Sequence, residues 1–220
     1  MMLKIYGVFR SRASRVLWIA HELGIPYEHV PVIQAPRLAD PATPDAPLNT
    51  ASAAYLAINP NGKIPCIDDD GLVMHESLAI TLYLAKKHGG PLAPRHLEEE
   101  GLTTMWALWA ATACEPHTVQ IIFHRVDYPE SKRDEAVVQA AISALRSPLQ
   151  VLDENLKKGG GFLVGRRFTV ADLNTAEVFR YAQPAPELLR HYKHVLAWLA
   201  TCQARPAYNK MMALRSTEQE

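Results

Sequence analysis

The sequence carries no excess of charge of either sign. Lys and Arg together number 23 in 220 residues, and Asp and Glu together also number 23. Proteins that bind nucleic acid through its phosphates need a basic surface. The balanced charge therefore predicts a protein with no nucleic acid partner.

Long apolar runs are also lacking. Apolar stretches such as residues 105–113 end well before the roughly 18 residues that a membrane span requires. The first seven residues have no apolar core of the kind found in signal peptides. We therefore expect a cytoplasmic protein with no membrane partner.

Cysteine is scarce, and the common catalytic motifs are missing. Cys66, Cys114 and Cys202 form no C-x-x-C pair, so we expect reduced thiols in a reducing compartment. The sequence has no Gly-rich nucleotide loop, no G-x-S-x-G and no H-E-x-x-H. His191 and His194 share a helical spacing, but no carboxylate or thiol stands at a matching step. The sequence therefore predicts no metal site.

The chain is apolar enough for real cores, with 48% hydrophobic residues, and its two parts differ in periodicity. Residues 3–6 and 27–33 are typical of strands, and a helical pattern between them ends at Gly24. Four prolines make residues 34–52 irregular. A hairpin at 63–74 and a helix at 77–87 follow, which predicts the order βαβ and then ββα.

Every strong signal after the Pro-rich segment 90–94 is helical. Helices are predicted at 98–124 and 132–156, near 188–200 and at 207–214, and a further helix begins with Thr169 as N-cap and Asp172 reaching back to it. We therefore predict an α+β fold with an N-terminal domain at 1–88, a linker at 89–96 and an all-α domain at 97–220.

One segment predicts a binding site for the end of a peptide. Pro65 in a β-rich run leaves a strand edge open, and an Ile-Pro bond can adopt cis, so Ile64 is free to pair with an extended peptide. Glu76 and Ser77 begin a helix, whose free N–H groups attract a carboxylate while Glu76 holds a cation. The alternative is that Ser77 is a plain N-cap and Pro65 an edge-strand stopper.

Several motifs resemble the cytosolic glutathione S-transferase family nearly from end to end. They are Y-G-x-x-x-S-R-x-x-R-V-L-W from Tyr6, N-P-N-G-K-I-P at 59–65, E-S at 76–77, F-T-V-A-D at 168–172 and A-R-P-A at 204–207. The resemblance implies a thioredoxin-like N-terminal domain, an all-α C-terminal domain, glutathione as co-substrate and a homodimer. It also implies that Ile64, beside a cis Pro65, pairs with the cysteinyl part of glutathione, and that Glu76 and Ser77 take its γ-glutamyl group.

The resemblance leaves three hydroxyls as candidates for stabilising the glutathione thiolate. Ser11, four residues before Arg15, fits the serine-type classes, with Ser14 as the near alternative. Tyr6 lies where the tyrosine-type classes carry their tyrosine, although strand packing explains it equally well. Cysteine-type relatives carry a thiol at this helix start, which this chain lacks, so disulfide exchange is disfavoured.

Further site residues follow from the same resemblance. Residues 49–53 offer no cation for the glycyl carboxylate, so we expect Lys63, Asn61 or Arg12 to bind it. The electrophile is expected near Phe9 and Arg10 and near the side chains that recur along the first long helix, namely Trp106, Trp109, Ala113 and His117. The predicted function is conjugation of glutathione to a small hydrophobic electrophile. The alternatives are a glutathione-binding or ligand-carrying protein without turnover and a structural dimer module.

Overall fold

The computed structural model describes residues 2–218 and divides the chain into two compact units. The first unit comprises Met1–His88 together with Pro206–Glu220, and the second comprises Gly89–Arg205. Three free cysteines lie buried in these residues, and none of the helices described here is long and apolar enough to cross a membrane.

A four-stranded sheet forms the centre of the first unit, in the order β2-β1-β3-β4. Strand β1 is parallel to β2 and antiparallel to β3, which is antiparallel to β4. This arrangement confirms the predicted βαβ and ββα order. The elements are β1 (Leu3–Tyr6), α1 (Ala13–Leu23), β2 (Tyr27–Val30), α2 (Ala53–Leu56), β3 (Cys66–Asp69), β4 (Leu72–His75) and α3 (Ser77–His88).

The short helix α2 was not predicted, and it follows the irregular segment 34–52. That segment contains a 3₁₀ turn at Ala35–Arg37 and a single bridge between Ile33 and Asn49. Asn49 is fully buried, and its side-chain amide donates to the carbonyls of Pro41 and Pro47. Side-chain hydrogen bonds thus replace the backbone ladder that the prolines prevent.

The second unit is helical, as predicted, but its first long helix is interrupted. Its helices are α4 (Leu97–Trp109), α5 (Glu115–Ile122), α6 (Glu135–Lys158), α7 (Val170–Arg180), α8 (Pro186–Leu189) and α9 (Lys193–Gln203). A continuous helix over 98–124 was wrong, because π-helical turns occupy Ala110–Cys114 and Phe123–Asp127. Pro116 has no N–H to donate and would clash with the carbonyl four residues before it, which favours the wider turn.

The predicted capping box of α7 is present. The Thr169 N–H donates to Asp172 Oδ2 at 2.9 Å, and the Trp198 indole donates to Asp172 Oδ1 at 2.9 Å. Burial raises the pKa of Asp172 to about 6, against the hydrogen bonds it accepts from Leu163, Thr169 and Trp198. This carboxylate joins two helices of the core and takes no part in a surface site.

The segment predicted as a linker is anchored to the second unit. The Arg167 guanidinium donates to the carbonyls of Pro91 and Ala93, and Val170 N–H donates to the carbonyl of Leu92. Arg167 also forms a bidentate pair with Glu99, at 2.8 and 2.7 Å. These bonds hold residues 91–93 in place.

The last helix, α10 (Pro206–Thr217), packs with the first unit. Its main partner is α1, against which the ring of Tyr208 meets Trp18 edge-on at a centroid distance of 4.9 Å. The helical periodicity of this segment predicted a place in the all-α part. Helical periodicity does not say which neighbour buries the apolar face.

Candidate active site

The pairing of three strands brings the predicted site segments to one edge of the sheet. Cys66 in β3 lies opposite Tyr6 on one side and His75 on the other. Because both pairings are antiparallel, the residues just before Cys66 lie beside those just after Tyr6 and just after His75. The turn after β1, the Ile64–Pro65 segment and the start of α3 therefore meet.

Gly7 permits a close approach of these segments. It adopts a φ of 143°, and a Cβ at this position would lie 2.8 Å from the Cβ of Ala13 and 3.4 Å from that of Ile64. A side chain would therefore push the start of α1 away from the Ile64 segment. The glycine keeps two of the predicted binding segments in contact.

The Ile64–Pro65 peptide bond is cis, as expected. The preceding carbonyl, that of Lys63, accepts hydrogen bonds from the Tyr55 hydroxyl and from Asn59 Nδ2, both on buried side chains. Within residues 2–218, neither the N–H nor the carbonyl of Ile64 has a hydrogen-bond partner. The backbone of Ile64 is thus held in position with both of its polar groups available to an extended ligand.

Ser77 at the start of α3 is linked to α1 by a buried hydrogen bond. The Arg15 Nη1 donates to Ser77 Oγ at 3.0 Å, and Arg15 is only 1% exposed. Because Ser77 Oγ accepts from Arg15, its own proton remains available to donate to an incoming carboxylate. A guanidinium, a hydroxyl and the N-terminus of a 12-residue helix then favour negative charge at one place.

Glu76 immediately precedes that helix in an unusual conformation. Its φ is 71°, in the left-handed region, and its side chain is 80% exposed. A non-glycine residue held there costs about 1–2 kcal/mol, and such residues concentrate at functional sites. The carboxylate points to solvent, beside His75 at 3.7 Å, where it is accessible to a cation.

Ser11 lies in the turn between β1 and α1 and is half-buried. Its hydroxyl donates to the carbonyl of Val8 at 2.7 Å and accepts from the N–H of Ala13 at 3.0 Å. The second bond satisfies one of the free N–H groups in the first turn of α1. If Ser11 donates its hydroxyl proton to a bound thiolate and no longer to the Val8 carbonyl, its oxygen still accepts the hydrogen bond from the N–H of Ala13.

Ser14 and Tyr6, the two alternatives, are less accessible than Ser11. Ser14 is fully buried in α1, and Tyr6 is 7% exposed in a core cluster with Val32, Tyr55 and Cys66. Burial raises the pKa of Tyr6. Burial also raises the pKa of the Cys66 thiol to about 11, so that this cysteine is poorly suited to thiol chemistry.

Phe9, two residues before Ser11, borders a mainly apolar crevice in the first unit. The crevice has a volume of about 310 Å³, and its walls include Phe9, Pro31, Ile33 and Leu214. The Phe9 ring meets His29 edge-on, with the ring centroids 5.0 Å apart. Arg10 lies partly exposed, with its Nε donating to the carbonyl of Arg215.

The other side chains expected at the electrophile pocket lie in the second unit. Trp106 is buried and meets Trp109 edge-on at 5.0 Å, whereas Trp109, Ala113 and His117 are half-buried. The π-helical turn at Ala110–Cys114 adds a residue to the repeat, so Trp106 and His117 do not share the simple α-helical stripe that their spacing predicted.

The residues that support the site were not predicted from the sequence. Arg15 was noted only for its spacing from Ser11, and Tyr55 and Asn59 were not expected to hold the Lys63 carbonyl. The spacing of Arg15 was a usable signal. The side-chain partners of a loop carbonyl leave no comparable trace in a sequence.

Models of one protein family match most of the chain. Residues 9–87 match the N-terminal domain of glutathione S-transferase, and residues 111–206 match its C-terminal domain. Glutathione S-transferase 1 of Zea mays is 30% identical over 218 residues, which cover 96% of this chain and 96% of that protein. Glutathione S-transferase F13 of Arabidopsis thaliana is 30% identical over 220 residues, which cover 96% of this chain and 95% of that protein.

Solved structures of similar proteins carry ligands. The theta class glutathione S-transferase of Xanthomonas axonopodis pv. citri, with glutathione bound, has a TM-score of 0.79 and 29% identity, covering 94% of this chain and 95% of that one. Glutathione S-transferase I from Mais, in complex with an atrazine glutathione conjugate, has a TM-score of 0.83 and 28% identity, covering all of both chains.

Proposed function

The chain belongs to the glutathione S-transferase family and takes glutathione as its co-substrate, and on this premise we propose that Ser11 stabilises the thiolate of glutathione as it attacks a small hydrophobic electrophile. The observation that carries the proposal is the position of Ser11, which is half-buried in the turn before α1 and is bonded to Ala13, the residue that Gly7 allows to lie close to Ile64.

Glutathione is bound, in this proposal, along the edge of the sheet. The free N–H and carbonyl of Ile64, beside the cis Pro65, pair with the cysteinyl residue of glutathione. Ser77, with Arg15 behind it, takes the γ-glutamyl carboxylate, and Glu76 takes the γ-glutamyl ammonium.

The glycyl carboxylate is assigned to Lys63. Its side chain is exposed, and its ammonium makes no ion pair with any residue from 2 to 218. Asn61, one of the alternatives, is already bonded to Asn59 and His75. A free ammonium is the better partner for a carboxylate, because charge-assisted bonds are the stronger ones.

Catalysis requires the thiolate, because a thiol with a pKa of about 8.5 is only slightly ionised at neutral pH. A hydrogen bond from Ser11 and the positive end of α1 both stabilise the anion. The sulfur then forms a bond to the electrophilic carbon, and the leaving group departs with the electron pair of the bond that breaks.

The electrophile is expected to be apolar. The crevice beside Phe9 has mainly apolar walls, with His29, Thr217 and Glu218 as its polar members, and its volume of about 310 Å³ is near the lower limit for sites that bind small molecules. In the second unit, Trp109 and His117 offer partly exposed ring surface. Phe9 and Arg10 are proposed to border the electrophile, which is consistent with a role in the detoxification of small hydrophobic compounds.

The deciding experiment combines glutathione binding with conjugation to an aryl halide. Calorimetry measures the glutathione Kd, and the appearance of the thioether measures turnover. Binding together with turnover supports the transferase. Binding without turnover would support a glutathione-binding or ligand-carrying protein, and the absence of binding would support a structural dimer module.

A homodimer in the cytoplasm is the proposed state of the protein. Helix α4 exposes a row of large apolar side chains, in which Leu102 is 46%, Met105 48% and Leu108 61% exposed. Exposed apolar faces of this kind are typical of protein interfaces. A second copy of the chain is the proposed occupant, and the three free cysteines suit a reducing compartment.

A further inference from the structure

The turn that carries Ser11 is bound by the C-terminal end of the described chain. The carboxylate of Glu218 accepts from the N–H of Phe9 at 2.7 Å and from that of Arg10 at 2.8 Å. Two successive backbone N–H groups that bind one carboxylate form a concave anion site. Here the chain fills that site with its own side chain.

Arg215, one helical turn before Glu218, contacts the same turn from α10. Its Nη1 donates to the carbonyl of Phe9, and its own carbonyl accepts from the Nε of Arg10. The carbonyl of Arg10 accepts a further bond, at 3.0 Å, from Arg37. The backbone N–H and carbonyl groups of Phe9 and Arg10, just before Ser11, are therefore held by side chains from distant parts of the sequence.

We propose that Glu218 is a positioning residue, which fixes the Phe9–Arg10 backbone and thereby the direction of the Ser11 hydroxyl. The inference rests on the proposed role of Ser11 and deepens it. Phe9 and Arg10 belong to no strand or helix, so the internal bonds of a regular element do not hold them, whereas the carbonyls of Ser11 and Arg12 accept from the N–H groups of Ser14 and Arg15. A small displacement of a catalytic group lowers the rate strongly, and the carboxylate bonds prevent such a displacement.

A direct electrostatic effect of Glu218 predicts the opposite sign. A carboxylate near the thiolate repels it and raises the pKa of the thiol, so removal of that charge alone should lower this pKa. Loss of positioning weakens the bond from Ser11 and should raise the pKa. Other charged or titratable side chains in or next to this turn are Arg10, Arg12, Arg37, Arg215 and His29, and the test leaves all of them in place.

The test compares Glu218→Ala and Glu218→Asp with the wild type, and uses Ser216→Ala as the control. Ser216 is exposed at the end of α10, two residues before Glu218, and among residues 2–218 its hydroxyl bonds only to the carbonyl of Ala213. In Glu218→Ala we expect kcat to fall about three- to tenfold, the KM for glutathione to stay within about twofold, and the thiol pKa from the pH–rate profile to rise. Glu218→Asp, which keeps the charge, should recover part of kcat, and Ser216→Ala should match the wild type.

Hydrogen exchange supplies a readout that does not depend on turnover. The amides of Phe9 and Arg10 should exchange faster in Glu218→Ala, while those of Trp18 and Tyr208 in the packed helices should not change. Unchanged exchange at residues 9 and 10, an unchanged kcat, or a lower thiol pKa would overturn the proposal. A wild-type protein without conjugation activity would instead overturn the proposed function, and exchange would still decide whether Glu218 holds the turn.

Discussion

The guanidinium of Arg15 and the hydroxyl of Ser77, 62 residues apart in the sequence, form a buried hydrogen bond of 3.0 Å that joins α1 to α3. One helix carries the proposed thiolate-stabilising turn at its start, and the other carries the proposed carboxylate site at its start. In the proposed complex, the bond therefore sets the position of the cysteinyl thiolate of glutathione relative to its γ-glutamyl carboxylate.

Replacement of Ser77 by Ala should weaken glutathione binding. The ligand carboxylate loses one charge-assisted hydrogen bond, which contributes about 1.5–3 kcal/mol, so Kd should rise by at least about tenfold. Ser77→Thr keeps the hydroxyl and should bind nearly as well as the wild type. Calorimetry measures the glutathione Kd. Equal Kd values for the Ala and Thr variants would show that the Ser77 hydroxyl does not bind the ligand.

Glu76→Gly should move stability and binding in opposite directions. Glycine adopts a φ of 71° without the cost of a Cβ, so the free energy of unfolding should rise by about 0.5–1 kcal/mol. Glutathione binding should weaken by about 1–3 kcal/mol, because the γ-glutamyl ammonium loses its partner.

Asp70→Gly is the matched control for that prediction. Asp70 has a φ of 57° in the exposed turn between β3 and β4, outside the proposed site. It should show unchanged glutathione affinity in calorimetry. Equal affinities for wild type and Glu76→Gly would exclude Glu76 from ligand binding.

Ser11→Ala should impair the chemical step more than binding. Loss of one hydrogen bond to sulfur, about 1.5–3 kcal/mol, should raise the pKa of the bound thiol by about one to two units and lower turnover at neutral pH by roughly ten- to a hundredfold. Activity should partly recover as the pH approaches 9. A small loss of stability, about 0.5–2 kcal/mol, is also expected because Ala13 loses its acceptor.

Ser14→Ala and Tyr6→Phe decide whether Ser11 is the right hydroxyl. Both side chains are buried, so these variants should change thermal stability and leave the pH–rate profile in place. If either variant abolishes turnover at pH 6.5 while Ser11→Ala retains it, the thiolate belongs to that other hydroxyl.

The pair of Glu99 and Arg167 should make the stability of the second unit depend on pH. Hydrogen bonds from Arg167 lower the pKa of Glu99 from 4.5 to about 2. A carboxylate with a lowered pKa stabilises the folded state fully above its unfolded pKa, and this contribution is lost as the pH falls toward the folded value.

Glu99→Gln should therefore cost about 1–3 kcal/mol at pH 7, and the difference from the wild type should shrink between about pH 5 and pH 2. Thermal unfolding at several pH values measures it. Glu98→Gln, whose side chain is 90% exposed, is the control and should have little effect. A difference in the free energy of unfolding between wild type and Glu99→Gln that stays constant down to pH 2 would contradict the prediction.

Met105→Glu and Leu108→Glu should convert the proposed dimer to a monomer. Both side chains are about half exposed on α4, so a charge there is tolerated in a single chain but not inside an apolar interface. Light scattering measures the mass. Glu98→Gln is again the control, and a wild-type protein that is already monomeric at micromolar concentration would exclude the dimer.

Local patterns in the sequence determined the order of elements and the chemistry of the site. Short-range patterns could be predicted because they involve residues only a few positions apart. Examples are the alternation of Leu3 and Ile5 in β1, the end of α1 at Gly24 and the capping box of Thr169 and Asp172. The same holds for Ser77 at a helix start, whereas the cis bond before Pro65 was implied by the family resemblance, since adjacent residues only permit it.

Contacts between distant residues were decided only by the tertiary structure. The bond from Arg15 to Ser77, the support of the Lys63 carbonyl by Tyr55 and Asn59, and the capture of the Phe9 and Arg10 amides by Glu218 join segments that no periodicity relates. Helix α10 likewise packs on α1 because the face of Tyr208 fits Trp18, although its sequence only specified a helix. Short-range interactions depend on the residue types alone, whereas these contacts depend on where the folded sheet places each segment.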